Sequence, residues 1–261
     1  MIRSQTPSMR FQVLSDLHLE QHPERLGLLA VLPVRADVLV LAGDLSGGPG
    51  AERQSAHFAR LFADAAARWP HTVVVLGNHD HHGDRGDQAY LRAHAAAAGH
   101  ANVHVLDNAV VVIAGVRVLG CTMWGRFEDL DPAATVERTP FTAAAIRGLA
   151  DASHKFLASH WRPGDVVVTH YLPCSTQTLR DVYGHRIRFP YAPETSSRIA
   201  ATTPAGGDHR DKLERSALWI SGHTHDAFDV RCGDGRWVCN PLGLVGESTG
   251  ADPEGLVVST P

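Results

Sequence analysis

Short apolar runs that break into glycine, aspartate, asparagine or histidine dominate the pattern along the chain. Arg10 to Leu14 alternates and then meets Ser15-Asp16-Leu17-His18, which reads as a strand feeding a loop. The run Val38-Leu39-Val40-Leu41-Ala42 breaks at Gly43-Asp44, and Thr72 to Leu76 stops at Gly77-Asn78-His79-Asp80. Between them, Glu52 to Trp69 is helical by its alanine content and by the three- and four-residue steps of Phe58, Leu61, Phe62, Ala65 and Trp69. Gln88 to Ala98 is a second helix, ended by Gly99. This strand, loop and helix rhythm predicts an α/β fold with buried sheet strands.

The rhythm then changes. Val103 to Leu106, Val110 to Ala114 and Arg117 to Gly120 are short strands at hairpin spacing, with Ala114-Gly115 as the turn. Helix returns at Phe141 to His160, where Ile146, Leu149, Ala150, Ser153, Phe156 and Leu157 form a stripe. Val166 to Val168 runs into Thr169-His170, and Leu218 to Ile220 into Ser221-Gly222-His223-Thr224-His225. Ala227 to Arg231 and Arg236 to Cys239 bracket Gly233-Asp234-Gly235 as a hairpin, and Leu256 to Val258 is a closing strand. Residues 171–210 are rich in Pro, Thr, Ser and Gly and read as an irregular excursion over the site. No repeat or linker divides the chain, so residues 9–259 are expected to form a single domain of two packed sheets with helices outside.

Composition excludes several classes. The 261 residues are 44% apolar and 20% charged, with a formal charge of -4, as in an ordinary globular protein. That balance argues against binding long nucleic acid through many phosphates. No apolar run approaches the ~20 residues of a bilayer crossing, and residues 1–10 lack the apolar segment of a secretory signal. The expectation is therefore a cytoplasmic protein with no membrane partner and an undetermined oligomeric state. Four cysteines in a chain able to build its own core require no disulfide framework. The 17 histidines become informative only through their positions at strand ends.

Five predicted strands end in Asp16-x-His18, Gly43-Asp44, Gly77-Asn78-His79-Asp80, His170 and Gly222-His223-x-His225. Strand ends hold loop side chains with small positional error, so these oxygen and imidazole donors converge if the strands are neighbours. Mixed carboxylate, imidazole and amide donors suit manganese, iron or zinc. Taken singly, each piece is ambiguous. Asp16 and His18 can cap a turn, Gly43-Asp44 is an ordinary turn, Asn78 can form an Asx-turn and His79 can satisfy backbone groups, while His223 and His225, two apart on an extended segment, point the same way and permit metal binding without requiring it.

In this order the motifs Ser15-Asp16-Leu17-His18, Gly43-Asp44, Gly77-Asn78-His79-Asp80, Thr169-His170 and Gly222-His223-Thr224-His225 resemble the calcineurin-like metallophosphoesterase superfamily, in its bacterial small-substrate form. The resemblance implies a four-layer α/β/β/α sandwich of two mixed sheets flanked by helices. It implies a centre of two divalent or mixed-valence metal ions, manganese, iron or zinc. Asp16, His18 and His225 are assigned to one metal, Asn78, His170 and His223 to the other, with Asp44 bridging them. It further implies hydrolysis of phosphoesters by a metal-bridging hydroxide in line with the leaving group, with His79 as general acid. Asp80 either orients this loop or a histidine, or caps the turn. His81 and His82 match no family role and are expected as exposed loop residues.

Leu76 stands where the protein Ser/Thr phosphatases carry arginine, and Leu45-Ser46-Gly47-Gly48 replaces their Asp-Arg-Gly. A phosphodiesterase acting on small or nucleotide substrates is the leading expectation. A phosphomonoesterase, a nuclease and an inactive metal-stabilised scaffold are the alternatives. Trp124, Arg126 and Phe127 are candidates to project toward substrate, and Tyr171, Arg180, Tyr183, His185, Arg186, Arg188 and Tyr191 could wall it or cover a sheet edge. Asn240-Pro241-Leu242-Gly243 reads as a turn that ends a strand.

Overall fold

The computed structural model describes residues 8–48, 50–83, 88–125, 127, 130–135, 139–175, 181–184 and 209–261. The first sheet contains β1 (Arg10–Leu14), β2 (Val38–Ala42), β3 (His71–Val75), β4 (Val103–Val105) and, last in sequence, β11 (Leu256–Ser259). Its order is β11-β1-β2-β3-β4, parallel except for β11, which runs antiparallel to β1. The second sheet takes β5 (Ala109–Ile113), β6 (Val116–Cys121), β7 (Val166–Thr169), β8 (Leu218–Ser221), β9 (Phe228–Cys232) and β10 (Gly235–Cys239). Its order is β5-β6-β7-β8-β10-β9, with antiparallel pairs at both edges and parallel pairs between.

The side-chain period of two explains why there are four layers. Val38, Val40 and Ala42 of β2 face inward and pack with Val13, Val73, Val118, Val168 and Ile220 between the sheets. Leu39 and Leu41 of the same strand face outward onto α2 (Ala51–Arg68) and α3 (Gln88–Ala97), meeting Phe58, Leu61, Phe62 and Tyr90. On the far side, Val167, Trp219 and Trp237 pack against Phe156 and Leu157 of α4 (Ala143–His160) and Leu213 of α5 (Arg210–Arg215). Strands buried on both faces need continuous apolar runs, which is the pattern the sequence carries. The result is two mixed sheets flanked by helices.

The punctuation also matches the local chemistry. Ala114 and Gly115 both have positive φ, 46° and 86°, the backbone of a tight hairpin between β5 and β6. Thr142 accepts a hydrogen bond from the Ala145 N–H at 3.2 Å and so starts α4 two residues later than the apolar pattern suggested. The short α1 (Leu28–Val31) and α5 are too brief to show helical periodicity in the sequence. All four cysteines are buried and free. Among the described residues, no helix is long and apolar enough to cross a membrane. Most of the 171–210 excursion lies outside the described residues.

Candidate metal centre

β1, β2 and β3 of one sheet and β7 and β8 of the other deliver their following loops to one edge of the sandwich. Backbone bonds stitch these loops together: Asp16 N–H donates to Gly43 O at 2.9 Å, His18 N–H to Asp44 O at 3.0 Å, and Gly222 N–H to His170 O at 3.0 Å. The sheets are tied directly where His170 Nδ1 lies 2.9 Å from Ala42 O and where the His223 N–H meets Asp16 Oδ1 at 3.1 Å. Asp16, His18, Asp44, His223 and His225 all take left-handed backbone, with φ between 46° and 68°. Non-glycine residues adopt it at a steric cost, and such positions cluster where a site over-determines them.

The seven donors anticipated at the strand ends form two nests. Asp16, His18, Asp44 and His225 bring ligand atoms within 4.8 Å of one another, as do Asp44, His170 and His223. Asn78 joins the second nest, its Oδ1 3.0 Å from His170 Nε2 and 3.2 Å from His223 Nδ1. Asp44 belongs to both: its Oδ1 lies 3.3 Å from His170 Nε2 and its Oδ2 3.8 Å from His18 Nε2. All seven are buried, His223 the most open at 8%.

Hydrogen bonding around the nests creates a shortage of positive charge. His18 Nδ1 lies 3.0 Å from Glu20 Oε1, and His225 Nδ1 lies 2.6 Å from Glu247 Oε2. A carboxylate only accepts, so each neutral ring keeps its proton on Nδ1 and turns an Nε2 lone pair inward. These Nε2 atoms stand 3.0 Å apart, with Asp16 Oδ1 3.2 Å from that of His225. Likewise, His170 gives its Nδ1 proton to Ala42 O and aims Nε2 at two oxygens. Acceptors crowded in this way repel unless a cation lies among them, so the donor set fits a metal in each nest.

Proton affinities report the same shortage. Burial alone would lower His225, but the hydrogen bonds and charges of Asp16 and Glu247 lift it to about 10. Burial likewise opposes His170, yet the charge of Asp44 and the bond to it raise this ring to about 9. His223 goes the other way, pushed down to about 3 by burial and the charge of His170. A bound metal would supply the positive charge that protons provide here.

Asp80 has its carboxylate occupied by backbone. Oδ1 accepts from the Leu45 and Ser46 N–H groups at 2.9 and 2.8 Å, and Oδ2 from Gly77 N–H at 2.8 Å, tying two site loops together. Burial and the nearby charge of Asp44 raise it to about 7. Gln54 on α2 reinforces the brace through Ser46 O and Asp80 O. His79 differs from the nest residues because its side chain is 23% exposed, while its Nδ1 lies 3.2 Å from Glu20 Oε1. Its backbone N–H donates to Asp44 Oδ1 at 2.8 Å, which fixes the loop beside the nests.

Several expectations need correction. His81 is 3% exposed, because the short turn at His79–His81 carries its ring inward against Tyr90, Trp124 and Phe141. His82 is half-buried, with its ring 4.2 Å from that of His79. Trp124 and Phe127, candidates to project toward substrate, are instead buried, packing with Ile146, Ala150 and Tyr171, and Tyr171 backs His223 at 4.2 Å between rings. Tyr183 instead covers the outer layer, bonding Glu214 and lying edge-on to Trp237. Arg126, Arg180, His185, Arg186, Arg188 and Tyr191 lie outside the described residues. Asn240 serves structure, bonding Val13 O and Asp252 O at 2.9 and 3.0 Å.

The sequence reading missed Glu20 and Glu247. Glu20 was findable, since Asp16-x-His18-x-Glu20 continues a two-residue spacing, and Glu20 also joins His18 and His79 in a third donor cluster. Glu247 meets His225 across 22 residues and has no local signature.

Two donor nests sharing one carboxylate, at the strand ends of a four-layer sandwich, define a dinuclear metal-dependent hydrolase. The family model of the calcineurin-like phosphoesterases matches residues 9–227, and the chain belongs to that family. No curated protein matches the sequence. Among solved structures, the phosphopantetheinyl hydrolase of Mycobacterium tuberculosis is similar with a TM-score of 0.64 and 15% identity, over 90% of this chain and 89% of that one. The protein TT1561 of Thermus thermophilus is similar with a TM-score of 0.54 and 17% identity, over 92% and 91% of the two chains. Both likenesses are of fold.

Proposed function

We propose that this chain hydrolyses phosphodiesters of small or nucleotide-type substrates, with His79 donating the proton to the leaving group. Asp16, His18 and His225 would hold one metal, Asn78, His170 and His223 the second, and Asp44 would be shared. Two divalent cations bound there would acidify water and polarise a phosphoryl group. The observation that carries the reading is His79: it borders the nests, yet its side chain stays 23% exposed. Glu20 at Nδ1 orients the ring, so that Nε2 is the nitrogen left to serve substrate.

Charge supports diesters over monoesters. Asp16, Asp44, Glu20 and Glu247 place four carboxylates in or against the nests, which two divalent cations would about neutralise. A protonated His79 then offers a single positive charge. That complements a monoanionic diester better than a dianionic monoester, whose extra charge must also be desolvated. Leu76 and Leu45-Ser46-Gly47-Gly48, in place of the arginines of the phosphoprotein phosphatases, also support a small substrate.

The test is a substrate screen with manganese-, iron- or zinc-loaded protein, covering aryl monoesters, aryl diesters, cyclic nucleotides and oligonucleotides. Diesters of small leaving groups are expected to give the highest kcat/KM; a higher value for monoesters would reverse the assignment. His79→Ala is expected to keep both metals by elemental analysis. It should lose roughly 100-fold or more in kcat for poor leaving groups and far less for p-nitrophenolate. Equal losses across leaving groups would remove the proton-donor role.

A further inference from the structure

A partly open cavity lies behind the His79–His81 turn, and none of the nest residues lines it. It is about 160 Å³, and its walls come from Tyr90 on α3, Asn108 between β4 and β5, Thr122 and Trp124 just after β6, Phe141 just before α4, and Leu149 and Ser153 on α4, with His81 beside them. Three aromatic rings cage the imidazole: Tyr90 at 5.7 Å, Trp124 at 5.4 Å and Phe141 at 5.5 Å between centroids.

Tyr90 and Thr122 bond each other there at 2.9 Å, but three other polar atoms of the lining have no partner among the described residues. His81 is 3% exposed, and neither ring nitrogen has a hydrogen-bond partner among the described residues. The same holds for Asn108 Oδ1, also on the lining. Buried polar atoms are nearly always satisfied, so three unsatisfied atoms around one space point to something that fills it. A neutral imidazole presents one N–H and one acceptor nitrogen, and Asn108 adds a second acceptor. The occupant must therefore carry a donor and tolerate aromatic walls on several sides.

Size narrows the choice. An apolar protein cavity of about 150 Å³ accommodates benzene. We propose that this cavity is a binding site for a single six-membered planar ring bearing a hydrogen-bond donor, such as a phenol or a pyrimidine-type heterocycle, with His81 and Asn108 as its polar anchors. The rings supply stacking and edge contacts, and the donor satisfies an atom that has no partner among the described residues. Its rim is Leu149 on α4, 37% exposed, so a ring can enter without disturbing the nests. Trp124 and Thr122 form the partition toward the metal centre: Trp124 lies 5.7 Å from Tyr171, and the Thr122 carbonyl accepts from the His170 and Tyr171 N–H groups.

The experiment titrates 4-fluorophenol, and separately fluorobenzene, into the full metal-loaded chain, following fluorine NMR shifts with and without saturating inorganic phosphate. Saturable 4-fluorophenol binding is expected, at least tenfold tighter than fluorobenzene and unchanged by phosphate. His81→Phe, which keeps the ring but removes both nitrogens, should weaken 4-fluorophenol at least tenfold. Leu149→Trp, made at the half-open rim, should abolish binding even if the His81 variant folds poorly. Displacement by phosphate would place the ring at the metal centre and overturn the proposal. So would equal affinity for both probes, wild-type affinity in Leu149→Trp, or the absence of saturable binding, which would mean that the cavity holds water only. Binding here is read without turnover, so a failed diesterase assignment leaves this outcome intact.

Discussion

Asp44 is the residue on which both nests depend, since its two carboxylate oxygens face different histidines and its Oδ1 also receives the His79 N–H. Asp44→Asn preserves size and removes the shared negative charge. The expected result is a fall from two metals to one or fewer per chain, with turnover reduced at least about 100-fold; elemental analysis and steady-state kinetics read the two separately. Glu20 and Glu247 act at one remove, holding His18 and His225 by their outer nitrogens. Outer partners of this kind usually change metal affinity by about 10 to 100-fold.

At the scale of elements, the helices carry out two tasks at once. The buried face of α2 places Phe58, Leu61 and Phe62 on the first sheet, while its first turns place Gln54 and His57 against the loops at Ser46 and Asp80. The contact between α4 and the start of α5 has a pH consequence. His209 stacks on His154 with centroids 4.6 Å apart, and burial with the neighbouring charge pushes it down to about 3. A histidine with a depressed folded-state value binds its proton more readily unfolded, so stability falls as pH drops below about 6.5 and continues to fall toward 3. Between pH 7 and 5 this ring contributes a loss of about 2 kcal/mol. Urea unfolding at the two pH values should show a smaller difference in His209→Gln than in the parent protein.

For the whole molecule, the nests exist only because two stacked sheets present their strand ends on one side: Asp16, Asp44 and Asn78 follow strands of one, His170, His223 and His225 strands of the other. Metal bound between them ties the layers together and stabilises the native state by linkage. Chelation at neutral pH is therefore expected to lower Tm by several degrees or more, reversibly on adding manganese or zinc. A chelator-independent Tm in protein shown to hold metal beforehand would contradict this. The acceptors facing one another in each nest give the physical reason, because removing the cation leaves their repulsion uncompensated.

Patterns within a few residues of one another were legible in the chain. An alternating stretch marked β1 and apolar runs marked β2, β3, β7 and β8, and the polar residues that ended them marked the donors, because strand length and loop chemistry are local properties. The pairing of Glu247 with His225, the inward turn of His81, and the burial of Trp124 and Phe127 were not legible. Each depends on which surfaces two sheets and their helices bring together, and a side chain's neighbours at that distance are set by packing. The amino-acid order thus determined the kinds of donor and their places on the strands. The tertiary structure decided which nitrogen each histidine turns inward, which carboxylates stand behind them, and where the cavity beside His81 lies.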